Sequence, residues 1–486
     1  MTPLALRHIG PPRLTAGLDG TARLDWDAHR RVHPEPRPLT SDRLIALAEE
    51  GRLHGRGGAA FPFARKLRAV ADSAARRKRR PVVVVNGTEG EPGSAKDKVL
   101  LRRTPHLVLD GATLAATALG AAEIVLGVTD EAAAASLGRA ADERGLSERA
   151  RVVRLPERFI TGESGALIRG INGRPPVPPG RKARASTSGV GGLPTLLSNA
   201  ETYAQLALLA GLGPARYGSI GTPDEPGTVL LTVTGSARFP AVVETPAGAP
   251  LGHLLDLCGA RAGEGVLVGG YHGAWIDGAA AIGARVSRAG LREVGGTLGA
   301  GIVMPLGRGT CPLGECARVA RYLAAESAGQ CGPCRLGLPD IAGALDALTQ
   351  GRDTAAAGET IRRAARMASG RGACAHPDGT ARFVLSALEV FAADADRHVR
   401  HGGCGRPVRG VLPAGTDARL RLEVDWSRCD GHGLCADVLH GLVRMDEYGY
   451  PVIPAEPIPA RLEPDARKAV ARCPGLALRL VARHNS

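Results

Sequence analysis

The feature that most constrains the fold is an alternation of short apolar runs, glycine-rich turns and helical stretches between about residues 40 and 222. The runs Pro81–Val85 and Glu123–Val128 are almost continuously apolar, which is typical of strands covered on both faces. Stretches rich in alanine and leucine separate these runs and indicate helices. This order predicts an α/β sandwich built around a largely parallel sheet.

The chain of 486 residues is too long for a single hydrophobic core, so several domains are expected. The β-branched run Gly227–Gly235 indicates a strand, and residues 312 to 397 carry alanine, leucine and arginine on repeating helical faces. The predicted organisation is an extended lead-in at 1–40, an α/β domain at 41–222, a small α+β module at 223–295, a helical bundle at 296–400, a linker at 401–417 and a small domain at 418–486.

A net charge of +14 is a candidate signal for nucleic acid binding, and it is densest at Arg76–Arg80. However, aromatic residues make up only 3% of the chain, and no recognition helix or stacking platform accompanies the charge. We therefore expect a solvated surface, or one that docks onto an acidic protein partner, and no nucleic acid partner.

Neither secretion nor membrane insertion is expected. Residues Met1–Arg13 lack a basic region followed by an apolar run, and the apolar stretch Leu107–Val128 is interrupted by Asp110 and Glu123. Ten cysteines in 486 residues are too few for a disulfide scaffold. A cytoplasmic protein with reduced thiols is the expectation.

Four polar, glycine-rich turns follow predicted strands or precede predicted helices. They are Gly55–Pro62, Asn86–Asp97, Phe159–Leu167 and Pro194–Thr202. Glycine lets the backbone approach a phosphate closely, and a helix N-terminus adds unpaired N–H groups and the positive end of a dipole. In open α/β sheets, ligands bind at the carboxyl ends of the strands, where the second turn is expected.

Two sets of cysteines have the spacing of metal ligands. Cys331 and Cys334 form a CxxC pair, and Cys374 follows forty residues later in the predicted bundle. Such soft thiolates select iron–sulphur clusters or zinc.

The second set is Cys429, Cys435 and Cys473, with His432 between the first two and a proline after the last. Three thiolates suffice for a three-iron cluster, imidazole is a competent iron ligand, and the four side chains together also suit zinc.

In their order and spacing the four turns resemble those of the flavoprotein subunit of respiratory complex I and its relatives in hydrogenases and formate dehydrogenases. The segment Glu326–Arg335 is similar to the iron–sulphur segment of that family, and Cys429–Pro474 resembles a single-cluster bacterial ferredoxin. The resemblance to the flavoprotein runs from about residue 40 to 395. It implies an FMN-binding α/β sandwich, a β-grasp module, a helical-bundle iron–sulphur domain and a small α+β ferredoxin domain.

The resemblance also implies the roles of individual residues. The residues expected to contact FMN are Gly55, Arg56, Gly57, Gly58, Lys66, Asn86, Glu89, Gly162, Ser198 and Asn199. Phe61, Arg181 and Glu91 are expected to face NADH, and Glu163 is expected to contact the flavin. Glu91 and Glu163 are the expected catalytic residues.

The chain departs from the family at several of these places. Other residues stand in place of family side chains at Thr88, Ser164, Arg181 and Ser198. Of the three aromatic side chains that enclose the adenine in the family, only Phe61 is present, with Ala69 and Arg184 at the other positions. One lost aromatic surface removes about 1 kcal/mol of binding.

The first cysteine ligand of the family's bundle cluster is Ala328 in this chain. Three outcomes follow: a four-iron cluster with a substitute ligand, a three-iron cluster, or no cluster. Cys311 and Cys316, just upstream, are the candidate substitutes. Cys258 and Cys404 show no ligand spacing and are expected to be structural.

The resemblance implies an NADH dehydrogenase-like oxidoreductase in which NADH reduces FMN and electrons pass singly to iron–sulphur clusters and a redox partner protein. The opposite direction of electron flow is equally compatible with the sequence. The alternative is a non-catalytic electron conduit or scaffold that keeps the fold without binding NADH. Bleaching of the flavin by NADH would distinguish the two.

Overall fold

The computed structural model describes residues 4–180, 184–414, 419–440, 442–453, 458 and 462–483. Arg181, one of the predicted NADH contacts, lies outside the described residues. The chain divides into two compact units, residues 1–414 and residues 415–486. All ten cysteines are unpaired. The fold is mixed α/β with a parallel sheet and many helices, as the sequence predicts.

A four-stranded parallel sheet forms the centre of the first unit. Its strands, in spatial order, are β4 (Ala150–Arg154), β3 (Glu123–Val128), β2 (Val82–Gly87) and β5 (Thr195–Asn199). Alternate residues of β2 serve opposite faces: Val83 and Val85 join the core formed with most of the surrounding helices, whereas Val82 and Val84 join a smaller core that includes Leu167. Burial on both faces explains the continuous valine run.

Helices cover both faces of this sheet and continue into the remainder of the unit. Those before the bundle are α1 (Trp26–Val32), α2 (Ser41–Glu50), α3 (Phe63–Arg77), α4 (Lys96–Arg103), α5 (Pro105–Ala118), α6 (Glu131–Glu143), α7 (Ser164–Ile171), α8 (Ala200–Tyr217), α9 (Leu251–Leu257), α10 (Gly278–Gly283) and α11 (Arg288–Glu293). Within the described residues, none of the helices combines the length and the apolar character needed to cross a lipid bilayer.

A second, six-stranded sheet is mixed. Its strands, in spatial order, are β1 (Ala5–His8), β7 (Ala241–Pro246), β6 (Thr228–Val233), β10 (Ile302–Leu306), β8 (Gly265–Val268) and β9 (Ala274–Asp277). The module predicted at 223–295 therefore takes strands from outside both of its bounds. β1 pairs in parallel with β7, and β10 pairs in parallel with β6.

The lead-in predicted at 1–40 is more ordered than the sequence suggested, because it contains both β1 and α1. Its anchor is the buried carboxylate of Glu244, which accepts hydrogen bonds from the backbone N–H groups of Arg13, Leu14 and Thr15 at 2.8–3.0 Å. That partner is more than 200 residues away along the chain, so local sequence patterns could not reveal it.

Five helices form the bundle. They are α12 (Pro312–Ala325), α13 (Leu338–Thr349), α14 (Thr354–Ala368), α15 (His376–Val390) and α16 (Ala392–His401). Their core includes Leu345 and Phe383 and is continuous with residues of the second sheet such as Trp275 and Ile302. The bundle therefore shares its core with that sheet.

The predicted linker at 401–417 is bound to the bundle over its described part. The amide of Cys311 donates to the carbonyl of Pro407 at 2.8 Å. The fully buried carboxylate of Glu315 accepts from the amides of Arg409 and Gly410 at 2.9 and 2.7 Å. A buried carboxylate requires such donors, and this segment supplies them.

The second unit is small. Its described elements are β11 (Arg419–Val424), α17 (Leu434–Val438), β12 (Arg444–Met445), β13 (Pro451–Val452), α18 (Glu463–Arg472) and β14 (Leu478–Arg483). β11 pairs antiparallel with β14, and β12 pairs antiparallel with β13. Leu422, Cys435, Leu439 and Ala466 belong to its core.

Candidate functional site

The two strands at the reversal of strand order each carry an asparagine near the carboxyl end, at the same edge of the sheet. Asn86 of β2 lies opposite Asn199 of β5 in the register. β3 and β4 extend from β2 to one side, whereas β5 lies on the other side. Crossovers diverge at such a point and leave a crevice beyond the strand ends, which is where ligands of α/β sheets bind.

The loop Gly55–Phe61 borders this crevice. A hydrogen bond of 3.0 Å from the amide of Gly55 to the carbonyl oxygen of Phe61 closes the loop. A Cβ atom on Gly57 would lie 3.3 Å from Cβ of Asn199, and Gly58 has a φ of +106°. Glycine is therefore needed for the backbone path at Gly58, and it leaves the main chain open to a ligand.

A cavity of about 260 Å³ lies beside the loop. Its ionisable lining residues are Arg52, His54, Arg56, Lys96, Glu201, Glu225, Arg288 and Arg292. Arginine and lysine outnumber the carboxylates, so the cavity favours an anionic ligand such as a phosphate. Nε of Arg56 is buried, 4.0 Å from Glu201, and has no hydrogen-bond partner among the described residues. It is therefore a free donor at the cavity.

A buried ionic network connects the cavity to the strand ends. Nζ of Lys96 donates to Asp97 and Glu201, both at 2.9 Å, and to Oδ1 of Asn199 at 3.3 Å. Nδ2 of Asn199 donates to the other oxygen of Asp97 at 2.6 Å. Burial alone would lower the pKa of Lys96, but the two carboxylates outweigh it and raise that pKa. Lys96 is therefore a fixed cation beside the crevice.

The acidic turn after β2 is held by its own side chains. Asn86 donates through Nδ2 to the carbonyl of Gly162 at 3.1 Å and accepts from the amide of Thr88 at 3.1 Å. Glu89 accepts from the amides of Asp97 and Lys98 at 3.2 and 2.8 Å, so its carboxylate caps α4. The carboxylate of Glu89 is therefore already engaged at the start of α4. The predicted contact between Glu89 and FMN stays a prediction.

Glu91 lies where the acidic turn meets the second sheet. The amide of Tyr271 donates to its Oε1 at 2.6 Å. A Cβ on Gly270 would come within 2.6 Å of both carboxylate oxygens, so only glycine fits there. Burial of the carboxyl group raises the pKa of Glu91 to about 8, and the charge of Glu89 adds to this effect. The hydrogen bond from Tyr271 acts in the opposite direction but is the weaker influence. The carboxyl group is therefore largely protonated at neutral pH.

Replacement of Glu91 by glutamine should flatten part of the pH dependence of stability. Because the folded pKa of about 8 exceeds the unfolded value of 4.5, the folded wild type binds more protons in this window and loses stability as pH rises through it. Glutamine keeps the acceptor for Tyr271 without the charge. We expect equal melting temperatures near pH 5 and a gain of roughly 4 kcal/mol for Glu91→Gln near pH 9. Equal stability of both proteins at high pH would contradict the buried-carboxyl assignment.

The third turn brings the α/β region to the bundle. Glu163 caps α7 by accepting from the amides of Gly165 and Ala166 at 2.8 and 2.9 Å. Phe159 contacts the rings of His272, Tyr322 and His376. These contacts place the start of the turn beside the N-terminus of α15.

The cysteines of the bundle lie close to one another and to this turn. Burial, a hydrogen bond with Cys331 and the proximity of Cys374 together raise the pKa of Cys334 to about 12. Burial likewise raises the pKa of Cys374, and the nearby charge of Glu163 adds to the effect. The three thiols therefore influence one another electrostatically, and thiolates are the ligands that an iron–sulphur cluster requires.

The candidate substitutes for the missing fourth thiolate, Cys311 and Cys316, lie at the start of α12 and within it, and their role as cluster ligands stays a prediction. Cys311 caps the N-terminus of α12, whereas Cys331 follows its C-terminal end. A helix of 14 residues is about 21 Å long, which separates the two thiols. Cys316 is fully buried within α12 and contacts Trp275.

In the second unit, all four predicted ligands, Cys429, His432, Cys435 and Cys473, line one small cavity. Burial raises the pKa of Cys435, with contributions from the other two thiols. The amide of Ala477 donates to Sγ of Cys473 at 3.3 Å.

Comparison with protein families finds three matches. The Nuo51 FMN-binding domain matches residues 48–208, the NADH-ubiquinone oxidoreductase-F iron-sulfur binding region matches residues 314–398, and a 4Fe-4S single cluster domain matches residues 422–480. The predicted resemblance to the complex I flavoprotein, with a ferredoxin fused to it, is confirmed.

Relatives of known identity cover most of the chain. An NADH-quinone oxidoreductase subunit of Rhizobium meliloti is 27% identical over 427 residues, which are 83% of this chain and 99% of that protein. The mitochondrial NADH dehydrogenase (ubiquinone) flavoprotein 1 of Dictyostelium discoideum is 28% identical over 400 residues, with coverages of 78% and 82%. A chain of the NAD⁺-reducing NiFe-hydrogenase in the H₂-reduced state has a TM-score of 0.72 at 26% identity, with coverages of 95% and 75%.

The remaining predicted residues of the flavoprotein region differ in their exposure. Nζ of Lys66 donates to the carbonyl of Leu197 at 2.8 Å. Phe61 is 47% exposed, and Ala69 and Arg184 are also exposed. Ser198 is buried, and its Oγ has no hydrogen-bond partner among the described residues.

Seven of the eight ionisable lining residues were not among the predicted site residues. They are Arg52, His54, Lys96, Glu201, Glu225, Arg288 and Arg292. Arg288 and Arg292 lie four residues apart on α11 and therefore on one face of that helix. Their spacing in the sequence could have predicted that they act together. Lys96 and Glu201 are 105 residues apart, so no local pattern joined them.

Proposed function

We propose that the chain is an NADH dehydrogenase-like flavin and iron–sulphur oxidoreductase, which passes electrons between NADH, FMN and its clusters. The observation that carries this proposal is the ring contact of Phe159, in a turn expected to hold flavin, with His376, two residues after Cys374 of the bundle. Such proximity suits single-electron transfer from a flavin to a cluster. The names of the relatives, which are NADH oxidoreductase subunits, support the same interpretation.

The residues present fit FMN. The open backbone of the Gly55–Phe61 loop and the unpartnered Nε of Arg56 suit its phosphate, and the unpartnered Oγ of Ser198 offers a further polar contact. Asn86 and Asn199 hold the strand ends that form the crevice floor, while Lys96 and Lys66 add positive charge. When bound, FMN supplies the exchange between two-electron and one-electron transfer.

The residues also fit two iron–sulphur sites. Cys331, Cys334 and Cys374 would hold one cluster in the bundle, and Cys429, Cys435 and Cys473, with His432, would hold one in the second unit. Either site is compatible with three or four irons, since each has three thiolates.

We assign the modules as FMN-binding domain at 41–222, β-grasp module at 223–295, iron–sulphur bundle at 296–400 and ferredoxin at 418–486. The parallel sheet and the bundle cysteines support the first and third modules, whereas the mixed sheet extends beyond both bounds of the second. We further assign a cytoplasmic location, which agrees with ten unpaired cysteines, and a redox partner protein.

NADH as donor rests on Glu91 and Phe61. Because Glu91 is protonated near neutral pH, it can donate a hydrogen bond to a carboxamide oxygen without repelling a phosphate. Ala69, by contrast, offers no ring to an adenine. This loss favours the second candidate function, an electron conduit that does not bind NADH.

The decisive experiment adds NADH to the anaerobic, flavin-loaded protein. We expect acid-released flavin to be FMN, in about one equivalent per chain, and NADH to bleach its visible absorbance. Flavin that is present but not bleached would favour the conduit. Absence of flavin from protein prepared with excess FMN would contradict the site itself.

Gly57→Leu should lower the flavin content about tenfold or more, because the leucine side chain would fill the space between the loop and Asn199. A loss of about 1.4 kcal/mol in the free energy of flavin binding is enough for a tenfold effect. Gly138→Leu is the matched control, since a Cβ on Gly138 meets nothing within 4 Å. Equal flavin contents in the two variants would contradict the assignment of the loop.

A further inference from the structure

A third group of soft ligands lies at the opposite end of α12 from Cys331. Ligand atoms of Cys311, His398 and Cys404 all lie within 4.8 Å of one another. Sγ of Cys311 is 3.2 Å from Nε2 of His398. We propose that these three side chains bind one Zn²⁺ ion, separately from the iron–sulphur sites.

The geometry suits tetrahedral zinc. With Zn–S bonds of about 2.3 Å and Zn–N bonds of about 2.0–2.1 Å, neighbouring ligand atoms of such a site lie roughly 3.5–3.8 Å apart. The observed separations need only small adjustments of side-chain torsions to reach these values. Thiolate and imidazole together are a donor set that zinc prefers over harder cations.

The coordination is completed by solvent. Among the described residues, no fourth histidine, cysteine, aspartate or glutamate belongs to the group. Cys404 is partly exposed, so water can reach the fourth position, whereas Cys311 and His398 are only 2% and 3% exposed. Two thiol protons leave when the ion binds, and the site is then electrically neutral.

The surroundings point to a ligand rather than to ordinary core packing. Nδ1 of His398 is buried without a well-formed hydrogen bond, although the carbonyl of Leu348 approaches the imidazole, as backbone carbonyls do for histidines that bind metals. Arg406, two residues after Cys404, is held by Glu264 at 2.8 Å and by Asp394. Its charge partly offsets the burial that raises the pKa of the Cys311 thiol.

Zinc would join three separate parts of the chain. Cys311 begins α12, His398 lies in the last turn of α16, and Cys404 lies in the segment that follows. That segment carries Pro407, which accepts from the amide of Cys311. The ion would therefore fasten residues 402–414 to the bundle, in addition to the contacts with Glu315.

The test measures bound zinc in the full-length protein, purified anaerobically without chelators. Elemental analysis by mass spectrometry is applied to the wild type and to Cys311→Ser, His398→Gln and Cys404→Ser. Cys258→Ser is the control, because Cys258 is a buried thiol of the second sheet's core and belongs to no ligand group. Each of the three variants should lose about one zinc per chain, and the control should lose none.

X-ray absorption at the zinc edge adds a readout that flavin and clusters do not mask. The zinc lost in the variants should show two sulphurs at about 2.3 Å and nitrogen at about 2.0 Å. Absence of zinc from the wild type, iron in its place, or a zinc content that only one variant lowers would overturn the proposal. A Cys311–Cys404 disulfide in the anaerobic protein would overturn it as well.

Discussion

We expect replacement of Lys96 by methionine to lower the free energy of unfolding by about 3–5 kcal/mol, the usual cost of removing one partner from a buried ion pair. Lys96 and its partners Asp97 and Glu201 are at most 5% exposed in their side chains. Methionine preserves most of the volume but leaves two buried carboxylates without their cation. Guanidinium unfolding, followed through the fluorescence of Trp26 and Trp275 in the first unit, measures the loss.

The size of this loss should depend on pH. Burial already raises the pKa of Asp97 to about 6 with Lys96 in place, and removal of the cation would raise it further. The folded variant would then bind more protons than the unfolded chain, so its stability falls as pH rises above about 4. We therefore expect a smaller deficit at pH 5 than at pH 8.

Lys98→Met is the matched control, because Lys98 forms only a partly exposed ion pair with Glu157 at 3.4 Å. Such pairs contribute about 0–1 kcal/mol. Equal losses for the two variants, or a deficit for Lys96→Met that does not change with pH, would contradict the role assigned to the buried network.

The sheet edge of the candidate site was predictable, because the valine run and the polar turn after it are contiguous in sequence. Once a parallel sheet is inferred, polar residues that follow strands must gather at one edge. Asn86 and Asn199 meet for this reason, and the same reasoning extends to the turn that contains Gly162.

The residues that escaped prediction depend on distant partners. Glu244 orders the lead-in across more than 200 residues, and Glu315 holds the predicted linker across more than 90. Cys311 is close to Cys331 along the sequence, but a rigid helix, α12, lies between them. Because an α-helix rises about 1.5 Å per residue, its two ends lie far apart. A helix predicted between Cys311 and Cys331 therefore already implied a distance between them.

Cys404 shows the limit of spacing rules. His398 and His401 are near it in the sequence, but its thiol partner, Cys311, precedes it by 93 positions. Only the antiparallel return of the bundle brings the start of α12 to the end of α16. Ligand groups assembled from helix termini are therefore accessible from the fold and not from local motifs.

Loss of the bundle cluster is the second large effect that we expect. Cys334→Ala should remove about three or four iron atoms per chain, because a cluster left with two thiolates is not retained. The second unit should keep its own iron, so the paramagnetic signal of the ferredoxin remains. Cys258→Ser should leave the iron content unchanged. Retention of all iron in Cys334→Ala would contradict a cluster at Cys331, Cys334 and Cys374.

Ala328→Cys then identifies what the native cluster lacks. The backbone of the next residue, Gly329, reaches the thiol of Cys334, so a side chain at position 328 begins beside the cluster ligands. If the native bundle holds three irons, the new thiolate should add about one iron per chain and convert a signal of the oxidised protein into one that requires reduction. If the native cluster has four irons and a weaker fourth ligand, the iron content should stay constant and the reduction potential should fall, because a thiolate stabilises the oxidised cluster. If Ala328→Cys changes neither the iron content, the spectrum nor the reduction potential, position 328 does not contact the cluster. The fourth ligand would then not be replaceable at the position where the family has its first cysteine.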